Sequence, residues 1–179
     1  MSAMDAFFKT HQQQAFLYCR YQGLPTEDAY DVLQDAMLKC FKRYSDKSET
    51  EWPALFFTTV KFTMIDFKRK AKLKQTLFFW QTHSDETNLD DVLNYQNLQL
   101  LVGIEDELVA QQLMERFYTV VRELSEQQRE VLLLRALNGL SEKDTAQVLN
   151  ISVGSVKTHL HRAKTTILNE LGVANDNAA

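Results

Sequence analysis

Apolar residues recur at spacings of three and four from Leu124 to Leu168, LSEQQREVLLLRALNGLSEKDTAQVLNISVGSVKTHLHRAKTTIL. That period predicts three consecutive helices. Ser125 and Gln128 stand as a capping box at the start of the first, and Val131, Leu132, Leu134, Ala136 and Leu137 form its buried stripe. Asn138-Gly139 ends it, because glycine takes the left-handed conformation after a helix at little cost. Ser141 and Asp144 open a short helix, Glu142 to Leu149. Asn150 fits the tight turn after it, since asparagine tolerates positive φ. Ser152 caps the last helix, where Val156, Leu160, Ala163 and Ile167 share the inward face. Its other side carries Gly154, Thr158, His161, Arg162 and Thr165, flanked by Ser155, Lys157 and Lys164. A short turn followed by a polar, cationic second helix suits a helix-turn-helix that enters a major groove.

A second amphipathic pair lies upstream. The segment from Pro53 to about Lys74 reads as one long helix with proline in its first turn. Phe56, Val60, Met64, Phe67 and Ala71 make its buried stripe; Thr58, Lys61, Phe62, Ile65, Arg69 and Lys72 project on the far side. Two apolar side chains among cations could stack on exposed bases beside a phosphate backbone, or pack under a neighbouring helix. The preceding helix, capped by Thr26 and running to about Tyr44, turns Ala29, Val32, Leu33, Ala36, Met37, Cys40 and Tyr44 inward. It shows Asp31, Gln34, Asp35, Leu38 and Lys42 outward, where Leu38 can anchor a protein partner within a ring of polar groups.

The chain between these pairs is different. From about Gln75 to Glu107 it is acidic, with a flexible-looking stretch at Thr82–Asn88 behind an apolar cluster of Leu77, Phe78, Phe79 and Trp80. Five glycines and two prolines in 179 residues, with few β-branched runs, favour an all-α fold. The expected organisation is two small helical domains joined by a linker: residues 1–76, a linker over 77–112, a helix-turn-helix domain over 113–175, and a tail over 176–179.

No window is long and apolar enough to insert in a bilayer, and the start lacks the pattern of a secretion signal, so the cytoplasm is the expected location. Cys19 and Cys40 are too few and too far apart for a metal knuckle and are expected as free, packed thiols. His159 and His161, two apart on a helix, diverge; no metal and no cofactor is expected. The net charge of −4 argues against a general nucleic-acid coat but not against DNA binding by local cation clusters. Neither a phosphate-cradling glycine loop nor a catalytic set is visible, so no enzymatic activity is expected. Two rival functions stand beside the DNA-reading one. One is a free-standing helix-turn-helix transcriptional regulator; the other is a metal-dependent nucleic-acid-processing enzyme, which the scattered surface acids disfavour.

Three segments carry a resemblance. TEDAYDVLQDAMLKCFKRY resembles the polymerase-binding helix, WPALFFTTVKFTMIDFKRKAK the promoter-melting helix, and LSEKDTAQVLNISVGSVKTHLHRAK the upstream-element helix-turn-helix of the extracytoplasmic-function group of bacterial sigma factors. The third is shared with response-regulator DNA-binding domains; the three in this order are specific. Departures are Phe62 where the family commonly has Asn, Asn150 for a frequent Gly, and Thr145 for a usual aliphatic residue.

The resemblance implies a region 2-like helical bundle and a region 4-like domain. Asp31, Gln34, Asp35 and Leu38 would dock on core RNA polymerase. Ser155, Lys157, Thr158, His161 and Arg162 would read the minus-thirty-five element. Lys61, Phe62, Ile65, Arg69 and the loop near Ser45–Glu51 would hold the melted minus-ten strand. The linker's carboxylates would follow the nascent-RNA channel, and overall acidity would limit DNA binding until polymerase is engaged. Promoter DNA, core polymerase and an anti-sigma factor are the implied partners.

Overall fold

The computed structural model describes residues 2–77 and 107–172, and no strand occurs among them. Three helices form the first half: α1 (Ala3–Tyr21), α2 (Thr26–Tyr44) and α3 (Trp52–Leu77). The second half holds α4 (Glu107–Glu123), α5 (Glu126–Leu132, continued by a π turn over Leu133–Leu137), α6 (Glu142–Leu149) and α7 (Val153–Leu171). The acidic stretch at 82–88 and the cluster Phe78, Phe79 and Trp80 lie outside the described residues, as does the tail.

Local chemistry fixes most ends. Ser2 and Asp5 form a capping box at α1: the Asp5 backbone N–H donates to Ser2 Oγ, and the Ser2 backbone N–H donates to Asp5 Oδ2 at 2.8 Å. Ser125, Ser141 and Ser152 accept from the backbone N–H of Gln128, Asp144 and Ser155, at the expected starts of α5, α6 and α7. At α2 the expectation fails by one residue. Pro25 is the N-cap, its carbonyl accepting from Ala29 at 2.9 Å, and Thr26 is already helical with no side-chain cap. Proline's fixed φ, here −56°, lets the helix start behind it without a donor to satisfy.

The first half is held by aromatic packing. Phe7 meets both Trp52 and Phe56 with ring centroids 5.7 Å apart, and the Trp52 indole N–H donates to the Tyr44 carbonyl at 3.0 Å. The latter bond ties the end of α2 to the start of α3. Cys19 and Cys40 are free and fully buried among these groups. Burial pushes the Cys19 thiol up to about 12 and the Cys40 thiol up to about 11.

The end of α5 departs from an ideal helix. The Asn138 N–H reaches back five residues to the Leu133 carbonyl at 3.1 Å, and the Asn138 side-chain amide donates to the same carbonyl at 2.9 Å. The extra residue in this turn rotates the side chains out of the 3.6-residue register. Ala136, expected inside, therefore faces solvent, while Leu133 is buried along with Val131, Leu132 and Leu134. Gly139 then takes φ 64° and Asn150 takes φ 54°, both in the left-handed region expected of them.

The two halves do not keep separate cores. Leu124, Leu132, Leu133, Leu134, Leu140 and Val148 of the second half belong to the same buried cluster as Tyr18, Phe57, Val60 and Met64 of the first. A smaller satellite of Val131, Ala146 and Val156 lies inside the helix-turn-helix. Sequence periodicity marks Phe56, Val60 and Met64 as buried, but α3 also buries Phe57 and Thr63. Packing along α3 by α6 and α5 widens its covered face beyond one stripe.

Candidate nucleic-acid and partner interfaces

Three exposed helix faces carry the candidate residues. On α2, Asp31, Gln34, Asp35 and Leu38 are all exposed, and their spacing of three and four aligns them on one side. Leu38 leaves 59 % of its surface uncovered. Asp35 Oδ2 pairs with Lys39 Nζ at 2.8 Å one turn on. Sequence reasoning missed two neighbours. Phe41, one turn past Leu38, is exposed as well, and exposed Tyr30 stacks on Phe16 with centroids 4.5 Å apart. The face thus offers apolar anchors bordered by carboxylates.

On α3, Phe62, Ile65 and Arg69 are exposed. Phe62, 59 % exposed, does not pack under a neighbouring helix among the described residues. Leu73, four residues beyond Arg69, extends the stripe and was not anticipated, although its spacing fits. Arg69 leans on Asp66 at 3.2 Å on the same helix, so part of its charge is locally balanced. The loop at 45–51 is exposed, tied by the Ser48 and Thr50 hydroxyls at 2.9 Å and by the Ser48 N–H donating to Glu51.

Lys61 behaves differently. The helical projection puts it outward with Phe62. Instead its ammonium meets Glu130 Oε2 of α5 at 3.1 Å, and the two side chains keep only 16 % and 9 % of their surfaces exposed. The reason is tertiary: the second half packs on that flank of α3 and brings a carboxylate 69 residues away in sequence. No local pattern could signal Glu130, which lies on a face that reads as a solvated charge.

On α7, Lys157, Thr158, His161 and Arg162 are exposed and Ser155 is half-buried. Thr158 donates its hydroxyl to the Gly154 carbonyl at 3.0 Å. Ser152 and Ser155 share a hydroxyl hydrogen bond of 2.9 Å at the helix start. Lys157 approaches Glu142 of α6 at 3.6 Å, a loose pair on an open surface. Among the described residues no ion pair engages Arg162. The N-terminal turn of α7 therefore presents small polar groups first and cations one and two turns later. That sequence of groups can meet base edges and flanking phosphates together.

Among the described residues no helix is long and apolar enough to cross a membrane.

Residues 114–167 match the family model "Sigma-70, region 4". Over 178 residues the chain is 28 % identical to the ECF RNA polymerase sigma factor SigM of Mycobacterium tuberculosis, covering 97 % of this chain and 79 % of that one. It is 27 % identical over 146 residues to the RNA polymerase sigma factor CnrH of Cupriavidus metallidurans, covering 81 % and 74 %. The fold resembles CnrH in complex with the cytosolic domain of CnrY, with a TM-score of 0.60 at 20 % identity over 95 % of this chain and 88 % of that one. It also resembles the sigma factor RpoE of Bartonella quintana in complex with the anti-sigma factor NepR, with a TM-score of 0.62 at 18 % identity over 94 % and 98 %. With a match to region 4 over residues 114–167, and relatives of one kind along nearly its whole length, this chain is similar to sigma factors of the extracytoplasmic-function type.

Proposed function

We propose that this chain binds core RNA polymerase and directs initiation at promoters that it reads through two separate helices. The supporting observation is the pairing of an exposed helix-turn-helix with a second helix, far from it in sequence, whose exposed face mixes Phe62, Ile65 and Arg69.

In this reading α7 enters the major groove of the minus-thirty-five element. Arg162 and His161 take base or phosphate contacts, Thr158 offers a methyl for apolar contact, and Ser155 and Lys157 hold phosphates near the helix start. The face of α3 captures the non-template strand of the minus-ten element once it is open. Phe62 and Ile65 receive unstacked bases while Arg69 tracks the backbone. Capture of the open strand offsets the cost of unpairing, so no nucleotide is hydrolysed by this chain. Asp31, Gln34, Asp35 and Leu38 of α2 dock on polymerase, and exposed Phe41 extends that anchor. The acidic segment between the halves runs along the RNA exit path. Residues 1–76 and 113–175 act as the two promoter-binding modules. An anti-sigma factor, as accompanies the Bartonella quintana relative, is a candidate partner. The protein works in the cytoplasm, where polymerase is.

Run-off transcription tests this reading. Core polymerase with this chain should initiate at a subset of promoters from the source genome, and core alone should not. Sequence-specific duplex binding as a symmetric dimer, with no stimulation of core polymerase, would establish the free-standing regulator instead.

A further inference from the structure

Large apolar side chains are unevenly spread over this surface. Seven are exposed among the described residues, and six of them, Tyr30, Leu38, Phe41, Phe62, Ile65 and Leu73, lie on α2 and α3. A monomeric protein rarely leaves so much adjoining apolar surface to water, and such patches mark sites of association. The two helices are neighbours and run antiparallel. The Trp52 indole ties the start of α3 to the end of α2, and Lys39 Nζ donates to Thr63 Oγ1 at 3.4 Å. Farther along, Asp31 and Lys70 line one cleft of about 200 Å³ between the helices. That register sets Leu38 level with Phe62 and Ile65, and Asp31 level with Arg69 and Lys70.

Charge follows the same register. Asp31 and Asp35 are exposed on α2, and Arg69 and Lys70 are exposed toward the same end of the layer on α3. A two-fold axis running along the helices, in the plane of contact, keeps every residue at its level and lays α2 of one copy on α3 of the other. Asp31 and Asp35 of one copy then meet Arg69 and Lys70 of the other, and Leu38 seats against Phe62 and Ile65 at the centre. The operation makes each of these contacts twice, as a two-fold interface must.

We propose that the outer face of α2 and α3 is the interface of a symmetric dimer of this chain. A second copy is the occupant because the layer is its own electrostatic complement, with carboxylates on one helix and cations level with them on the next. Exposed charge pairs contribute little singly, so the apolar centre supplies the affinity and the charges fix partner and register. The result is a reversible dimer with Kd in the micromolar range. The proposal does not rest on the polymerase-docking and strand-capturing roles given above, although it uses the same two helices.

Sedimentation velocity on the full chain, without polymerase or DNA, tests it. The wild-type chain should pass from monomer to dimer as its concentration rises through the micromolar range. Asp31→Lys with Asp35→Lys opposes like charges across the contact and should weaken dimerisation at least about tenfold. Arg69→Glu with Lys70→Glu should do the same. Mixed in equal amounts, one of them fluorescently labelled, the two variants should form a dimer containing one copy of each, because every reversed pair is again of opposite sign. Leu38→Ala leaves all charges in place and should weaken dimerisation at least about fivefold through lost apolar contact. All the altered side chains are exposed, so circular dichroism should match the wild type. A wild-type chain that stays monomeric throughout that range overturns the proposal. So does a dimer that Leu38→Ala and the charge variants leave intact, or a mixture of two folded variants that stays monomeric. Run-off transcription reports the polymerase reading separately, and that reading stands whether or not the dimer forms.

Discussion

Asn150 offers the cleanest measure of how the helix-turn-helix is held. It sits at φ 54° and ψ 47°, the left-handed region, as the cap of α6. Its side chain is exposed, so substitution there changes little packing. The hydrogen bonds that close the turn are all backbone: Asn150 N–H to the Gln147 carbonyl at 3.3 Å and Ile151 N–H to the Ala146 carbonyl at 3.0 Å. Neither depends on the asparagine side chain. What remains is the backbone preference. This region costs a residue with a Cβ roughly 1–2 kcal/mol, and asparagine offsets part of that through local polar contacts. Glycine is free of such strain but loses more freedom on folding, by roughly 0.5–1 kcal/mol. Asn150→Gly should therefore be close to neutral, and Asn150→Ala should fall below it by about 1 kcal/mol. In thermal unfolding that gap corresponds to about 2–4 °C for a chain of this size. Urea titrations should give the same difference at unchanged slope. An alanine variant at least as stable as the glycine variant would mean that backbone strain is not what selects the residue in this turn.

Other expectations rest on single observations. Thr145 is fully buried with its hydroxyl unpartnered among the described residues, so Thr145→Val should stabilise the chain by about 1 kcal/mol; a loss of stability in urea titration would point to a satisfied hydroxyl. Arg162→Ala should weaken binding to minus-thirty-five duplex in the holoenzyme by about 1–3 kcal/mol with unfolding unchanged, as electrophoretic shift and calorimetry would show. The buried thiols set an alkaline limit. Their folded values, about 12 for Cys19 and about 11 for Cys40, lie above the ordinary 9.0, so the neutral form is favoured by folding. The associated stability is fully present below about pH 9 and is lost as pH rises through 11 to 12. Denaturant midpoints should fall over that window, and less steeply in a Cys19→Ala, Cys40→Ala chain.

Much of this molecule could be read locally. The serine caps of α5, α6 and α7, the inward faces of α2 and α7, and the left-handed Asn150 depend on contacts within one turn of helix, and sequence spacing records such contacts. The exposed faces of α2 and α7 came from the same periodicity. The failures are non-local or irregular. The π turn over Leu133–Leu137 adds a residue that no 3.6-residue projection anticipates, and Ala136, expected inside, faces solvent. The start of α1 was legible but passed over: Ser2 and Asp5 are spaced as a capping box, while Phe7, Phe8 and Phe16, which all find aromatic partners, blur the apolar stripe behind it. Lys61 and Glu130 each look like surface charges, and only the docking of two halves makes them a buried pair.

The dual reading of promoter DNA is tested most directly by permanganate footprinting of the open complex. Thymines around the start site should become reactive only when core polymerase and this chain are both present. With Phe62→Ala, that reactivity should drop sharply while protection of the minus-thirty-five element by α7 persists. Undiminished thymine reactivity in that variant would contradict strand capture by the exposed face of α3.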